Sequence, residues 1–160
     1  MATEIERKSL VTGDDWRSVK PTYYCQGYLS RDKHRTVRVR IAGDAGVLTI
    51  KGLTTGASRA EFEYSIPVSD AQSLQQLCDQ PLVEKHRRVL DYAGMTWEVD
   101  EFLGDNAGLV VAEIELDAEE QQIELPPWVG SEVTHDPRYY NSNLSVTPFA
   151  SWTDDAHRKT

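Results

Sequence analysis

The chain has 160 residues, of which 17 are Lys or Arg and 26 are Asp or Glu, so its formal net charge at pH 7 is -9. An excess of acidic groups repels nucleic acids and anionic membrane surfaces, which argues against a nucleic-acid-binding protein as the first hypothesis. The length fits one domain, and no apolar run approaches the roughly 18 residues of a membrane-spanning helix. A charged N-terminus in place of an apolar signal segment predicts a cytoplasmic protein.

Most of the chain alternates apolar and polar side chains with a period of two, in short segments that are separated by turn residues. This pattern is typical of antiparallel β-structure, and it predicts a mainly β domain with a few short helices. The eight predicted strands lie near residues 2–10, 22–30, 35–42, 46–52, 59–66, 84–91, 95–103 and 108–117.

Helical signals are confined to three short segments. Between the fifth and sixth predicted strands, Ser69 is expected to cap a short helix. A second short helix is predicted to begin near Asp14, and a third helical segment over residues 138–145. We expect one domain over residues 1–150 and a flexible polar tail over residues 151–160.

The residues that alternate with the apolar ones are charged on nearly every predicted strand. Residues i and i+2 of a strand point to the same face, so like charges are grouped along the strands. A solvent-exposed sheet face explains any one strand, but like charges on a free surface repel each other, and their recurrence favours a ligand site. The cations of this face are Lys8, Arg38, Arg40, Lys51, Lys85 and Arg87, and its acids are Glu4, Glu6, Glu61, Glu63, Glu98, Asp100, Glu113 and Glu115.

If the eight strands close into a barrel, the charged faces line its interior and the apolar faces point outward toward the helices. Clusters of carboxylates suit hard divalent cations such as Mg²⁺ or Mn²⁺, and clusters of Arg and Lys suit phosphate oxygens. The predicted fold is therefore an eight-stranded, closed antiparallel β-barrel with a charged tunnel. Such a tunnel would hold a divalent metal together with an extended phosphate compound.

The N-terminal sequence Glu4-Ile5-Glu6-Arg7-Lys8 resembles the Glu-x-Glu-x-Lys signature of the CYTH superfamily, the triphosphate tunnel metalloenzymes. The resemblance covers about residues 1–145, and Gln26-Gly27-Tyr28-Leu29 is similar to the second strand of the small bacterial members. Further matches follow in the family's order and on alternating positions: Arg38-x-Arg40, Lys51, Glu61-x-Glu63, Lys85-x-Arg87 and Glu113-x-Glu115.

The resemblance implies metal-dependent hydrolysis of inorganic triphosphate, in which tripolyphosphate yields pyrophosphate and phosphate inside the tunnel. It implies catalytic roles for Lys8 and for Tyr28, the latter as a proton acceptor. The implied substrate-binding residues are Lys8, Arg38, Arg40, Lys51, Lys85 and Arg87. The implied ligands of Mg²⁺ or Mn²⁺ are Glu4, Glu6, Glu61, Glu63, Asp100, Glu113 and Glu115.

Other branches of the family hydrolyse thiamine triphosphate or nucleoside triphosphates, or cyclise ATP, and the shared motif residues do not separate these activities. A non-catalytic polyphosphate-binding module is the other alternative, although burying so many acids is costly for a protein that only binds an anion.

The segment around Arg138 resembles a family helix that closes one tunnel mouth, where relatives often carry Lys at the position of Tyr140. We expect a monomer or homodimer whose partner is a small-molecule triphosphate, with neither nucleic acid nor membrane.

Overall fold

The computed structural model describes residues 3–152, so residues 153–160 of the tail predicted over 151–160 lie outside the described part. The strands are β1 (Thr3–Val11), β2 (Thr22–Ser30), β3 (Thr36–Ala42), β4 (Ala45–Lys51), β5 (Ser58–Ile66), β6 (Val83–Tyr92), β7 (Met95–Phe102), β8 (Val110–Glu115) and β9 (Val129–Glu132). The α-helices are α1 (Val68–Leu77) and α2 (Asn141–Leu144), and short 3-10 helices cover Asp15–Ser18, Gly104–Asn106, Pro137–Tyr139 and Phe149–Ser151.

Eight of the strands form a closed antiparallel barrel. Their order is β5-β4-β3-β2-β6-β7-β8-β1, and the first residues of β1, Thr3 to Ile5, pair back with β5 to close the ring. The remainder of β1 pairs with β8, and the short strand β9 pairs with the C-terminal end of β1. The predicted mainly β fold with an eight-stranded closed barrel is confirmed, and β9 is an addition that the sequence pattern did not predict.

A tight turn sets the register between β6 and β7. Ala93 and Gly94 both have positive φ angles, 50° and 78°, which is the backbone of the hairpin turn that matches the right-handed twist of strands. The turn is enclosed by the pair Tyr92 and Met95. The same register places Arg87 directly opposite Asp100, so this turn fixes an ion pair several residues away in the lumen.

Helix α1 covers the outer face of β2, β3 and β4. Val39 and Ala71 are fully buried between the helix and the sheet, together with Cys78 at the end of the helix. The predicted cap is wrong, because Pro67 and not Ser69 occupies the N-cap position. The extended backbone of Pro67 (φ -58°, ψ 141°) ends the strand segment, and its carbonyl accepts the N–H of Ala71, so the helix begins before Ser69.

Aromatic residues cover the rest of the outer surface. Trp97 on β7 packs edge-on against Trp128, with ring centroids 5.7 Å apart, and Trp16 is buried in the same cluster. The C-terminal segment forms a third cluster, in which Tyr139 and Trp152 pack over one end of the barrel against apolar residues on the inward face of the strands. Fully burying one such side chain contributes about 1.5–3 kcal/mol. Two of the three apolar clusters therefore lie outside the barrel wall, and the third fills one end of the barrel, which leaves the rest of the lumen to polar side chains.

The predicted helical segment over 138–145 is confirmed as a 3-10 turn followed by α2. Its packing in the C-terminal cluster brings the start of α2 to one end of the barrel lumen. None of the helices among residues 3–152 is long and apolar enough to cross a membrane.

Candidate active site in the barrel lumen

The lumen contains a cavity of about 260 Å³ with a mainly polar and charged lining. All eight barrel strands contribute to it, because alternate residues of each strand point inward. Asp100 is the one predicted site residue that does not line this cavity. The predicted residues that do line it are Glu4, Glu6, Lys8, Tyr28, Arg38, Arg40, Lys51, Glu61, Glu63, Lys85, Arg87, Glu113 and Glu115, together with Glu98.

Three carboxylates form an acidic group at the junction of β1 and β8. Glu4, Glu6 and Glu115 each place an oxygen atom within 4.8 Å of the other two, and Glu6 faces Glu115 across the two strands. Burial, together with the nearby carboxylate of Glu113, raises the pKa of Glu6 well above its ordinary value. Glu6 therefore favours its neutral form, and a cation beside the three carboxylates would favour their ionised forms. A group of carboxylate oxygens fits a hard divalent cation.

Lys51 links the acidic group to β5. Its Nζ donates to Glu4 Oε1 at 3.0 Å and lies 3.3 Å from Glu61 Oε2. Burial and a hydrogen bond to Glu4 raise the pKa of Glu61 to about 7. Burial alone would also raise the pKa of Glu4, but Lys51 and the hydrogen bond with Glu61 hold it below its ordinary value. Glu4 is thus the ionised member of the pair, whereas Glu61 is about half protonated at neutral pH.

A second ion-paired group is centred on Asp100, which is fully buried. Its carboxylate accepts hydrogen bonds from Lys85 Nζ at 2.7 Å and from Arg87 Nε and Nη2 at 2.7 and 2.8 Å. Burial opposes ionisation, but Lys85 and Arg87 more than offset it and lower the pKa of Asp100. Both carboxylate oxygens are used by these cations, and Asp100 is not part of the acidic group. In this geometry Asp100 orients Lys85 and Arg87 for an anion in the cavity.

Lys8 lies where the C-terminal segment meets the barrel. Its Nζ is 3.9 Å from Glu113 Oε2 and donates to the carbonyl of Tyr139 at 3.3 Å. Burial would lower the pKa of Lys8, but Glu113 and then Glu6 raise it above its ordinary value. Tyr140, at the position where relatives often carry Lys, instead places its ring 5.7 Å from Lys8 Nζ. Lys8 therefore faces the cavity as a firmly protonated cation.

Two arginines of β3 also line the cavity. Arg38 donates from Nη2 to Thr49 Oγ1 at 3.2 Å and lies 3.6 Å from Glu63, and its buried Nε has no hydrogen-bond partner among residues 3–152. Buried donors are rarely left without an acceptor, so a ligand oxygen is the natural partner for this N–H. Arg40 donates from Nε to Gln26 Oε1 at 3.1 Å.

Several lining residues were missed by the sequence analysis. Arg59 lies two positions before Glu61 on the same inward face of β5, and its Nε donates to the carbonyl of Gly52 at 3.1 Å. The same alternation would have found Arg59, and it would also have found Tyr24 on β2. Asn141 has no such signal, because only the packing of the C-terminal segment brings it to the lumen.

The fold and the site define a β-barrel of the tunnel class, in which antiparallel strands enclose paired cations and carboxylates. The CYTH domain family matches residues 2–145, and the chain belongs to this family, as the motif resemblance predicted.

Two curated relatives of this chain are named as inorganic triphosphatases. The chain is 51% identical over 156 residues to the inorganic triphosphatase of Acetivibrio thermocellus, and this match covers 96% of this chain and 100% of the relative. It is 34% identical over 151 residues to that of Nitrosomonas europaea, covering 91% of this chain and 98% of the relative. A crystal structure of an inorganic triphosphatase is similar with a TM-score of 0.62 at 31% identity, covering 88% of this chain and 96% of that one.

Proposed function

We propose that this protein is a metal-dependent inorganic triphosphatase that hydrolyses tripolyphosphate to pyrophosphate and phosphate inside its barrel. The observation that carries the proposal is a cavity in the barrel lumen whose walls combine six candidate phosphate-binding cations with one group of carboxylates. The activity named for the two curated relatives, which match nearly the whole chain, supports it.

The size of the cavity favours a small inorganic substrate over a nucleotide or thiamine triphosphate. Its volume of about 260 Å³ lies just below the roughly 300–1,000 Å³ of pockets that hold drug-sized organic ligands. Its lining consists mainly of charged groups, whereas such organic-ligand pockets are predominantly apolar. A linear chain of phosphates needs both features, because it is compact in cross-section and charged along its length.

Glu4, Glu6 and Glu115 would hold the metal, with Mg²⁺ or Mn²⁺ as the proposed ion. Their donor atoms are all carboxylate oxygens, which fits a hard divalent cation. A bound cation would favour the ionised form of Glu6, whose pKa is raised by burial and then by Glu113. When bound, a divalent ion supplies neutralisation of phosphate oxygens and Lewis-acid polarisation of the reacting phosphoryl group.

The chain's own side chains hold and orient the substrate. Arg38, Lys85 and Arg87 face the cavity as donors, and each is held by a hydrogen bond to the protein, so these donors are oriented before the phosphates arrive. A water molecule attacks the terminal phosphorus in line, the new P–O bond forms as the bridging P–O bond breaks, and pyrophosphate leaves. The proton of the water passes to a group of the cavity wall, where Tyr28 and the luminal carboxylates are the candidates.

Phosphate release from tripolyphosphate is the direct test. The purified protein should release phosphate with Mg²⁺ or Mn²⁺ and lose this activity in EDTA, and metal-independent turnover would contradict the proposed mechanism. A panel of tripolyphosphate, pyrophosphate, ATP and thiamine triphosphate under one metal should give the highest kcat/KM for tripolyphosphate. Tight binding of tripolyphosphate without phosphate release under any divalent metal would favour the non-catalytic alternative.

The cytoplasmic location and the monomeric or homodimeric state stay predictions. Fractionation of cells that express the protein tests the first, and light scattering of the purified protein tests the second.

A further inference from the structure

Arg40 differs from the other candidate phosphate-binding cations in its partner. The other five each lie within 4.0 Å of a carboxylate oxygen: Lys8, Arg38, Lys51, Lys85 and Arg87. Among the carboxylates of residues 3–152, none lies within that distance of the Arg40 guanidinium. Its Nε instead donates to the side-chain oxygen of Gln26 at 3.1 Å. Arg40 is thus held by a neutral group and keeps an uncompensated positive charge in the cavity wall.

Gln26 is placed on β2 directly opposite Arg40 and is fully buried. A guanidinium has only donors, so Gln26 must turn its oxygen toward Arg40 and its NH₂ group away from it. That NH₂ group donates to Asn141 Oδ1 at 3.2 Å and lies 3.5 Å from the hydroxyl oxygen of Tyr28. Three different elements therefore fix the amide in one orientation, and the amide in turn fixes Arg40.

The surroundings of Arg40 show what a charged partner would change. Burial, followed by the nearby charges of Arg38 and Arg87, lowers the pKa of Arg40 to about 10, so the guanidinium is still a cation at neutral pH. The Tyr24 ring lies 4.8 Å from the guanidinium carbons of both Arg40 and Arg87. A carboxylate at position 26 would relieve this crowding of cations, but it would also neutralise the charge that faces the cavity.

We propose that Gln26 is a positioning residue of the site, whose neutral amide orients the unpaired Arg40 guanidinium toward a substrate phosphate without neutralising it. This inference rests on the proposed triphosphatase function, and it assigns Gln26 a role in substrate affinity. The position needs a side chain that accepts a hydrogen bond from an arginine, donates one to Asn141 and carries no charge. Glutamine meets all three conditions, and glutamate fails two of them.

The test compares Gln26→Glu and Gln26→Met with the wild-type enzyme on tripolyphosphate and Mg²⁺. A carboxylate at position 26 pairs with Arg40 and removes one phosphate contact, so KM should rise about 10- to 100-fold while kcat falls by less than about 3-fold. Methionine has a similar length and no charge but leaves Arg40 unoriented, so its KM should rise by a smaller factor, about 3- to 10-fold.

Gln75→Glu is the matched control. Gln75 is also buried, but it lies in α1 outside the barrel, where its NH₂ group donates to the carbonyl of Cys25 at 2.9 Å. A carboxylate there faces a backbone carbonyl instead of a cation, so the melting temperature should fall while KM stays within about 2-fold of wild type. Gln26→Glu should lose less stability than this control, because its new charge is paired with Arg40.

An unchanged KM in Gln26→Glu, or a loss of stability larger than that of Gln75→Glu, overturns the inference, since both would mark Gln26 as a packing residue. If the wild-type protein releases no phosphate, the proposed function fails, and the same variants are compared by calorimetric titration with tripolyphosphate and Mg²⁺. A 10- to 100-fold weaker dissociation constant for Gln26→Glu then supports the role of Gln26 on its own. Equal dissociation constants, or no binding by the wild type, overturn it.

Discussion

Replacing Asp100 with Asn tests whether this residue is the counter-ion of the two basic residues on β6. The change keeps the shape of the side chain but removes its charge from a site where Asp100 and Lys85 are both fully buried. Arg87 keeps carboxylate partners in Glu98 at 3.1 Å and Glu113 at 3.5 Å. The loss of stability therefore arises mainly at Lys85, which loses its carboxylate partner at 2.7 Å.

Breaking a buried ion pair from one side costs about 3–5 kcal/mol. We expect the lower end of this range for Asp100→Asn, about 3 kcal/mol, because burial already lowers the pKa of Lys85 to about 7 and deprotonation can relieve part of the cost. For a chain of this length, that loss corresponds to a melting temperature about 6–12 °C lower. Urea unfolding followed by circular dichroism measures the free energy of unfolding directly.

The control for this experiment is Asp14→Asn, which removes the same charge from an exposed pair with Arg17, where the Asp14 side chain is 83% exposed. Surface pairs contribute about 0–1 kcal/mol, so this variant should unfold almost like the wild type. A loss below about 1 kcal/mol in Asp100→Asn would refute the ion-pair reasoning. If that variant kept its stability but needed much more metal for activity, Asp100 would be a metal ligand instead.

Three further substitutions test the acidic group, the phosphate site and the packing under α1. Glu4→Gln removes a carboxylate that faces both the acidic group and Lys51, so phosphate release should fall at least about 10-fold and half-saturation should require more metal. Lys8→Ala removes a buried cation of the cavity wall, so KM for tripolyphosphate should rise about 10-fold or more. Gly27→Ala places a Cβ 2.5 Å from a methyl carbon of Leu82, so urea unfolding should show a loss of about 1–3 kcal/mol.

Matched controls exist for each of these substitutions. Glu124→Gln and Lys20→Ala make the same chemical changes at exposed positions that do not line the cavity, and both should leave activity unchanged. Gly52→Ala brings a Cβ only to 3.4 Å of the nearest atom, the Cβ of Ala60, and should unfold like the wild type. Full activity in both Glu4→Gln and Lys8→Ala would mean that the site lies elsewhere. Equal stability of Gly27→Ala and the wild type would contradict the close packing of β2 against the end of α1.

The barrel and its inward residues could be predicted because one rule, the two-residue period of a strand, assigns the face of every side chain. Lys8 and Arg87 come to the same cavity for this reason, although about half of the chain separates them. The four-residue strand β9 could not be found in this way, because it is too short to show a period. It also follows two prolines, which favour irregular backbone.

Pairings between strands depend on register, which a single strand does not encode. The sequence shows Asp100 as one more acid beside Glu98, and only the β6–β7 register brings it to Lys85 and Arg87 as their counter-ion. The contact of Gln26 with Asn141 is more remote still, because it requires the C-terminal segment to fold back onto the barrel. The sequence therefore predicts which residues enter the lumen better than it predicts their partners there.

The threefold pairing of β1 also has a consequence for the order of events during synthesis. Strand β1 leaves the ribosome before β5, β8 and β9, with which it forms ladders, and the last two strands lie in the last third of the 160 residues. Contacts this distant in sequence are slow to form, because the intervening chain must be ordered before they are gained. Glu4, Glu6 and Lys8 all lie on this strand, so a growing chain carries half of a site until β8 arrives. A chain that ends before β8 thus lacks the third member of the carboxylate group, Glu115.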